Sequence, residues 1–237
     1  MAGVNAPQTR LVMALDVPTA DDALAMVDRF MGRCDFFKVG LELFTGAGPS
    51  IVTALRARGV DVFLDLKLHD IPNTVRQAAR GAAALDVRLL TVHASGGEAM
   101  LAAAVDGAGA RCGILGVTVL TSLAPQELAE AWGRGPWIDV KAEVIRLAGL
   151  ADSAGAHGIV CGGSEVAAVA QRYPRLAPLV PGVRPAGAVA HDQARVVTPE
   201  TAAADGARYL ILGRAVTAAA DPLAAWDAIA RAVAAVL

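Results

Sequence analysis

Short β-branched or aliphatic runs recur along the chain at a steady rhythm, over residues 11–17, 36–40, 60–67, 87–93, 113–119, 158–161, 176–181 and 208–212. These are eight candidate strands. Between them apolar residues return at helical spacing: Leu24, Val27, Phe30 and Met31; Val52 and Leu55; Val75, Ala78, Ala79 and Ala82; Val144, Leu147, Ala148 and Ala151; then Leu223, Trp226, Ile229 and Val233. Thr19 with Asp22 reads as an acidic capping box, and Asp221 with Pro222 as the cap and first position of the last helix. Eight strands alternating with helices in 237 residues predict an α/β fold, a single-domain (β/α)8 TIM barrel spanning residues 1–237. The competing architecture is an open doubly wound sheet. Polar residues decide between them: Asp16, Lys38, Asp65, Lys67, His93, Thr121, Arg184 and Arg214 all fall at or just beyond the C-terminal end of a predicted strand. A barrel gathers those ends at one mouth, whereas an open sheet strings them along an edge.

Composition narrows the function classes. At 55% hydrophobic and 4% aromatic, the core must be built from small aliphatic side chains. Length alone also permits two small domains, but no Ser/Gly-rich or Pro-rich linker divides the chain. A formal charge of −2 provides no field for nucleic acid, so an anionic ligand must be held by local cations. Cys34, Cys112 and Cys161 are widely separated with no CxxC pair, which predicts free buried thiols rather than a disulfide framework or a zinc site. The N-terminal MAGVNAPQTR lacks an apolar core, and no apolar run approaches the length of a membrane span. A soluble cytoplasmic protein is expected.

The most informative stretch is Val62-Phe63-Leu64-Asp65-Leu66-Lys67-Leu68-His69-Asp70. Alternation puts Asp65 and Lys67 on one face of the strand and Leu64, Leu66 and Leu68 on the other. In a barrel the aliphatic face packs on the helices and the charged face lines the mouth. The plainer alternative is a surface strand with an exposed ion pair.

Asp-x-Lys-x-x-Asp at the end of a third strand, filled here by Asp65, Lys67 and Asp70, resembles the signature of the orotidine 5′-phosphate decarboxylase family and its relatives. The continuation Ile71-Pro72-Asn73-Thr74 is similar to the decarboxylase branch rather than the sugar-phosphate branches. Ala14-Leu15-Asp16, Phe37-Lys38-Val39-Gly40, Val117 to Ser122, Pro181 to Pro185, Asp192 to Arg195 with Thr198-Pro199, and Leu212-Gly213-Arg214 extend the resemblance in order from residue 11 to about residue 226.

The resemblance implies cofactor-free and metal-free decarboxylation of orotidine 5′-phosphate to UMP. Lys67 would stabilise and protonate the carbanion at C6 of the pyrimidine, with Asp65 aiming it beside the departing carboxylate. Lys38 would complete the alternating charges and Asp16 would accept hydrogen bonds from ribose hydroxyls. Thr121 would meet the pyrimidine edge. Phosphate would lie on Gly213 and Arg214, under a loop carrying Arg184 and Gln193 that the sequence does not resolve into helix or strand. Asp70 and Thr74 would reach the neighbouring site of a homodimer. His93 is expected to make a structural hydrogen bond, and Trp132 and Trp137 to pack in a connection after the fifth strand.

Three other readings compete: a sugar-phosphate decarboxylase or aldolase using magnesium, a Schiff-base lysine at Lys67, and a catalytically silent phosphate-binding barrel. Flanking carboxylates count against the Schiff base, since they raise the lysine pKa that such chemistry needs lowered.

Overall fold

The computed structural model describes residues 9–135, 138–185 and 197–237. Eight parallel strands close a barrel in chain order: β1 (Arg10–Ala14), β2 (Phe36–Gly40), β3 (Asp61–Leu68), β4 (Leu89–His93), β5 (Gly113–Val117), β6 (Gly158–Val160), β7 (Ala177–Val180) and β8 (Tyr209–Leu212). Closure runs through β1 and β8, with Arg10 opposite Tyr209 and Met13 opposite Leu212. The expected (β/α)8 barrel is therefore the observed fold, and the open sheet is not.

Strand alternation builds two separate cores. Val12, Phe36, Phe63, Leu89, Leu115, Leu179 and Ile211 point inward and fill the barrel. Their neighbours Met13, Phe37, Val62, Leu64, Leu90 and Leu210 point outward and pack under the helices. Alanine supplies much of the helical side of that outer layer. Between the helices Pro72–Ala84 and Glu98–Ala108, a Cβ on Gly107 would stand 2.1 Å from the Arg76 carbonyl oxygen, so this close approach requires glycine.

Local chemistry sets the helix ends. Asp221 Oδ1 accepts from the Leu223 and Ala224 amides, both at 3.1 Å, and Pro222 opens the last helix as expected. Thr19 accepts from the Asp22 amide, but its hydroxyl donates to the Asp22 carboxylate, so the cap is present without the reciprocal bond of a capping box. Met31 lies beyond the first helix and is exposed, because that helix stops at Phe30. Ala78 likewise faces solvent rather than the core. The stretch from Gly182 to Pro199 that the sequence leaves unparsed ends where a short helix begins, Pro199–Ala204, capped by Thr198. Its other end is tied down where the Arg184 amide donates to the Val197 carbonyl at 3.0 Å, which joins the two flanks of residues 185–196. Trp132 packs against the outer core; Trp137 lies outside the described residues. Among the described residues no helix is long and apolar enough to cross a membrane.

All three cysteines are buried, and burial pushes Cys34 and Cys112 up to about 12. We predict that the native protein shows no rapidly reacting thiol toward an aromatic disulfide reagent at pH 8 and that guanidinium exposes all three. Fast reaction of one thiol in the native state would contradict this packing.

Candidate active site

Inward-facing positions change character toward the C-terminal end of the barrel. Ala14, Phe63, Val117, Val160, Leu179 and Ile211 form an apolar floor, and above them lie Asp16, Lys38, Asp65, Lys67, Thr121, Ser122, Arg184, Gly213 and Arg214. Together they enclose a cavity of about 350 Å³. A cavity of similar size, about 360 Å³, opens at the opposite end beside Arg88, Arg111, His157 and Tyr209. Size does not separate the two. Only the first is lined by lysines and carboxylates among the described residues, and it sits at the mouth where barrels carry chemistry.

Two ion pairs dominate that mouth. Lys67 Nζ lies 2.8 Å from Asp65 Oδ2, and Lys38 Nζ lies 2.7 Å from Asp16 Oδ1. Asp65 and Lys38 are largely buried, with side chains 13% and 11% exposed, while Asp16 is 63% exposed and Lys67 31%. Each pair thus joins a buried member to one that can still meet a ligand. Gly40 leaves room for the second pair, since a Cβ there would lie 3.0 Å from Lys38 Nζ.

The charged strand is not regular. Leu64 pairs with Leu90 and Leu68 with Val92, so Asp65, Leu66 and Lys67 together face Thr91 alone. Lys67 takes up the excess with a φ of +49°, a left-handed conformation costing about 1–3 kcal/mol for a residue other than glycine. Asp65 and Lys67 still line the cavity, while Leu64 is buried in the outer core and Leu66 and Leu68 pack against it, as alternation predicts. Thr91 is fully buried. Its Oγ1 donates to Asp65 Oδ1 at 2.8 Å and accepts from the Lys67 amide at 2.9 Å.

Thr121 and Arg184 are buried at the rim and Arg214 is exposed there. Arg184 Nη1 also donates to its own neighbour's carbonyl, at Val183, at 2.9 Å. Asp70 and Thr74 do not join them: both are exposed outside this cavity, and Asp70 Oδ1 accepts from the Ile71 amide. Gln193 lies outside the described residues. Thr91 and Ser122 are site residues that sequence reasoning passed over. The available signal for Thr91 was a polar residue two positions after inward-facing Leu89.

His93 ends β4 but does not line the cavity. Among the described residues its ring makes no hydrogen bond and instead packs on His69, with centroids 5.5 Å apart, which corrects the expected structural hydrogen bond. Burial foremost, then the charges of His69 and Lys67, lowers its pKa below the usual 6.5. The unfolded chain therefore takes up this proton first as pH falls, so the contribution to stability is present above about pH 6.5 and is lost below it. His157, also shifted down by burial, acts in the same direction. Replacing His93 with Asn should make the urea midpoint less dependent on pH between 7 and 5 than in the parent. An unchanged dependence would mean that His93 titrates alike in both states.

Comparison with known proteins agrees with this fold. Residues 9–229 match the family model described as "Orotidine 5′-phosphate decarboxylase / HUMPS family". A protein of Halorhodospira halophila named orotidine 5′-phosphate decarboxylase is 50% identical over 230 residues, covering 95% of this chain and 96% of its own. One of the same name from Pseudomonas syringae pv. tomato is 44% identical, over 95% and 98%. Among solved structures, orotidine 5′-phosphate decarboxylase from Lactobacillus acidophilus superposes with a TM-score of 0.83 at 33% identity, covering 95% of this chain and 99% of the other. The Pyrococcus horikoshii OT3 enzyme gives 0.76 at 25% identity, over 94% and 99%. With a matching family model over almost its entire length and relatives at 44% and 50% identity, this chain belongs to the orotidine 5′-phosphate decarboxylase / HUMPS family.

Proposed function

We propose that this chain converts orotidine 5′-phosphate to UMP and CO2 without a cofactor, as one cytoplasmic decarboxylase domain. The observation that carries the reading is the Lys67 ammonium, held 2.8 Å from Asp65 over an apolar cavity floor. Heterolysis of the bond between C6 and the carboxylate carbon releases CO2 and leaves the electron pair on C6. No carbonyl is placed to delocalise that pair simply, so a fixed cation beside it lowers the barrier directly. Lys67 then passes a proton from Nζ to C6 and is reprotonated from solvent. Asp65 keeps Lys67 charged and aimed, and its repulsion of the substrate carboxylate raises the ground state.

The remaining groups bind. Asp16 accepts from ribose hydroxyls, with Lys38 beside it continuing the alternating charges. Thr121 meets the pyrimidine edge. Arg214 offers a planar fork to the phosphate next to Gly213, and Arg184 and Gln193 reach it from the preceding loop. The sugar-phosphate alternative gains no support from the relatives, which carry the name of the decarboxylase.

Asp70 and Thr74 serve the other site of a two-fold dimer. In support, both are exposed outside their own barrel's cavity, next to Ile71, a large apolar residue left 68% exposed.

Purified protein should consume orotidine 5′-phosphate in the presence of a chelator, followed by loss of its absorbance, and Lys67→Ala should abolish turnover while the barrel stays folded. A magnesium requirement, or a lysine adduct trapped by borohydride, would overturn the mechanism.

For the shared site, Lys67→Ala and Asp70→Asn homodimers, each inactive, should recover about a quarter of wild-type activity when unfolded together and refolded in equal amounts, since half the dimers are hybrids with one native site each. Hybrids that form without activity would leave Asp70 in its own barrel.

A further inference from the structure

Thr91 lies beneath the cavity, not in its lining. It is 0% exposed, and so are its strand neighbours Leu90 and Val92. A hydroxyl in an aliphatic interior is costly unless its hydrogen-bonding capacity is used. Here it is used twice, toward the two residues that carry the charge. The hydroxyl's one proton goes to Asp65 Oδ1, and a lone pair accepts the Lys67 amide.

The consequence for Asp65 is geometric. Its Oδ1 is fixed by Thr91 and its Oδ2 by Lys67 Nζ at 2.8 Å, so the plane of the carboxylate is set and cannot turn without breaking a bond. The Lys67 amide, left without a regular ladder partner by the irregular register against β4, is satisfied by the same hydroxyl. That bond also holds the backbone at the left-handed turn from which the Lys67 side chain departs. Threonine suits the task, because a β-branched side chain packed on both flanks has little χ1 freedom.

We propose that Thr91 is a positioning residue for catalysis: without touching substrate, its buried hydroxyl locks the Asp65 carboxylate and the Lys67 backbone into the geometry that decarboxylation uses. The inference rests on the decarboxylase reading of the site above.

Three variants isolate the hydroxyl. Thr91→Val keeps the shape and removes the oxygen, Thr91→Ser keeps the oxygen, and Thr91→Ala removes both oxygen and methyl. With orotidine 5′-phosphate as substrate, Thr91→Val should lower kcat about tenfold to a hundredfold, the range expected from losing a hydrogen bond to a charged group, with KM within about twofold. Thr91→Ser should return kcat to within about threefold of the parent. If the valine variant does not fold, the serine and alanine variants make the same comparison. Equal losses with and without the hydroxyl would mean packing alone, and no loss in the valine variant would mean no role; either overturns the proposal. A crystal structure of Thr91→Val gives a readout independent of turnover. The pair between Lys67 and Asp65 should open or the Lys67 turn relax, and retention of both would overturn the proposal even if activity fell. Parent protein inactive toward the substrate would instead count against the decarboxylase reading, leaving the crystallographic comparison to judge Thr91.

Discussion

Pairing of β1 with β8 turns a row of strands into a ring, and the rest of the molecule follows from that closure. Once Arg10 to Met13 lie against Tyr209 to Leu212, every inward-facing side chain shares one interior and every C-terminal strand end shares one mouth. Residues as far apart in sequence as Asp16 and Arg214 then border the same cavity of about 350 Å³. The opposite rim is tied differently. Arg10 spans Asp61 and Asp35, and Arg56, in the last turn of the helix Ser50–Ala57, spans Asp61 and Asp86; Arg10 and the three carboxylates lie at strand starts or the turns before them. Such pairs suit a stabilising rim, leaving the mouth to hold charges that cost stability.

Charges at the mouth are costly because they are partly withdrawn from water. Asp65 and Lys38 retain little exposure, and either one alone would be a buried charge without compensation. Each is paired, and Asp65 is bonded through both oxygens. The left-handed turn at Lys67 adds further strain, offset by the bond from its amide to Thr91. Strain at Lys67 and buried charge at Asp65 thus meet in one ion pair, the pair to which the proposed mechanism assigns the proton transfer. The apolar floor beneath them raises the effect of each fixed charge by excluding water.

Much of this was legible because barrel strands carry their own period. All eight fall within a few residues of their expected places, and alternation read within a barrel puts Asp65 and Lys67 inside and Leu64, Leu66 and Leu68 toward the helices. What escaped depends on partners. The irregularity at Lys67 is a relation between β3 and β4, and neither strand's sequence contains it. The role of Thr91 follows from that relation. Helices such as Leu41–Ala47, Val166–Arg172 and Arg214–Thr217, of seven residues or fewer, are too short to display a period. Glu98–Ala108 is long enough, but its alanines and glycine blur the contrast between faces. His93 was misread because a strand-end imidazole suggests a polar partner, whereas its nearest ring partner is His69.

The proposed mechanism requires that one cavity hold a nucleotide with its reacting carbon at Lys67 and its phosphate at Arg214. A crystal structure of the protein with UMP bound tests it most directly. C6 of the pyrimidine should lie about 3–3.5 Å from Lys67 Nζ, near-attack range, with the phosphate beside Arg214 and the ribose hydroxyls toward Asp16. A phosphate seated on Lys67, or a nucleotide bound outside this mouth, would contradict it.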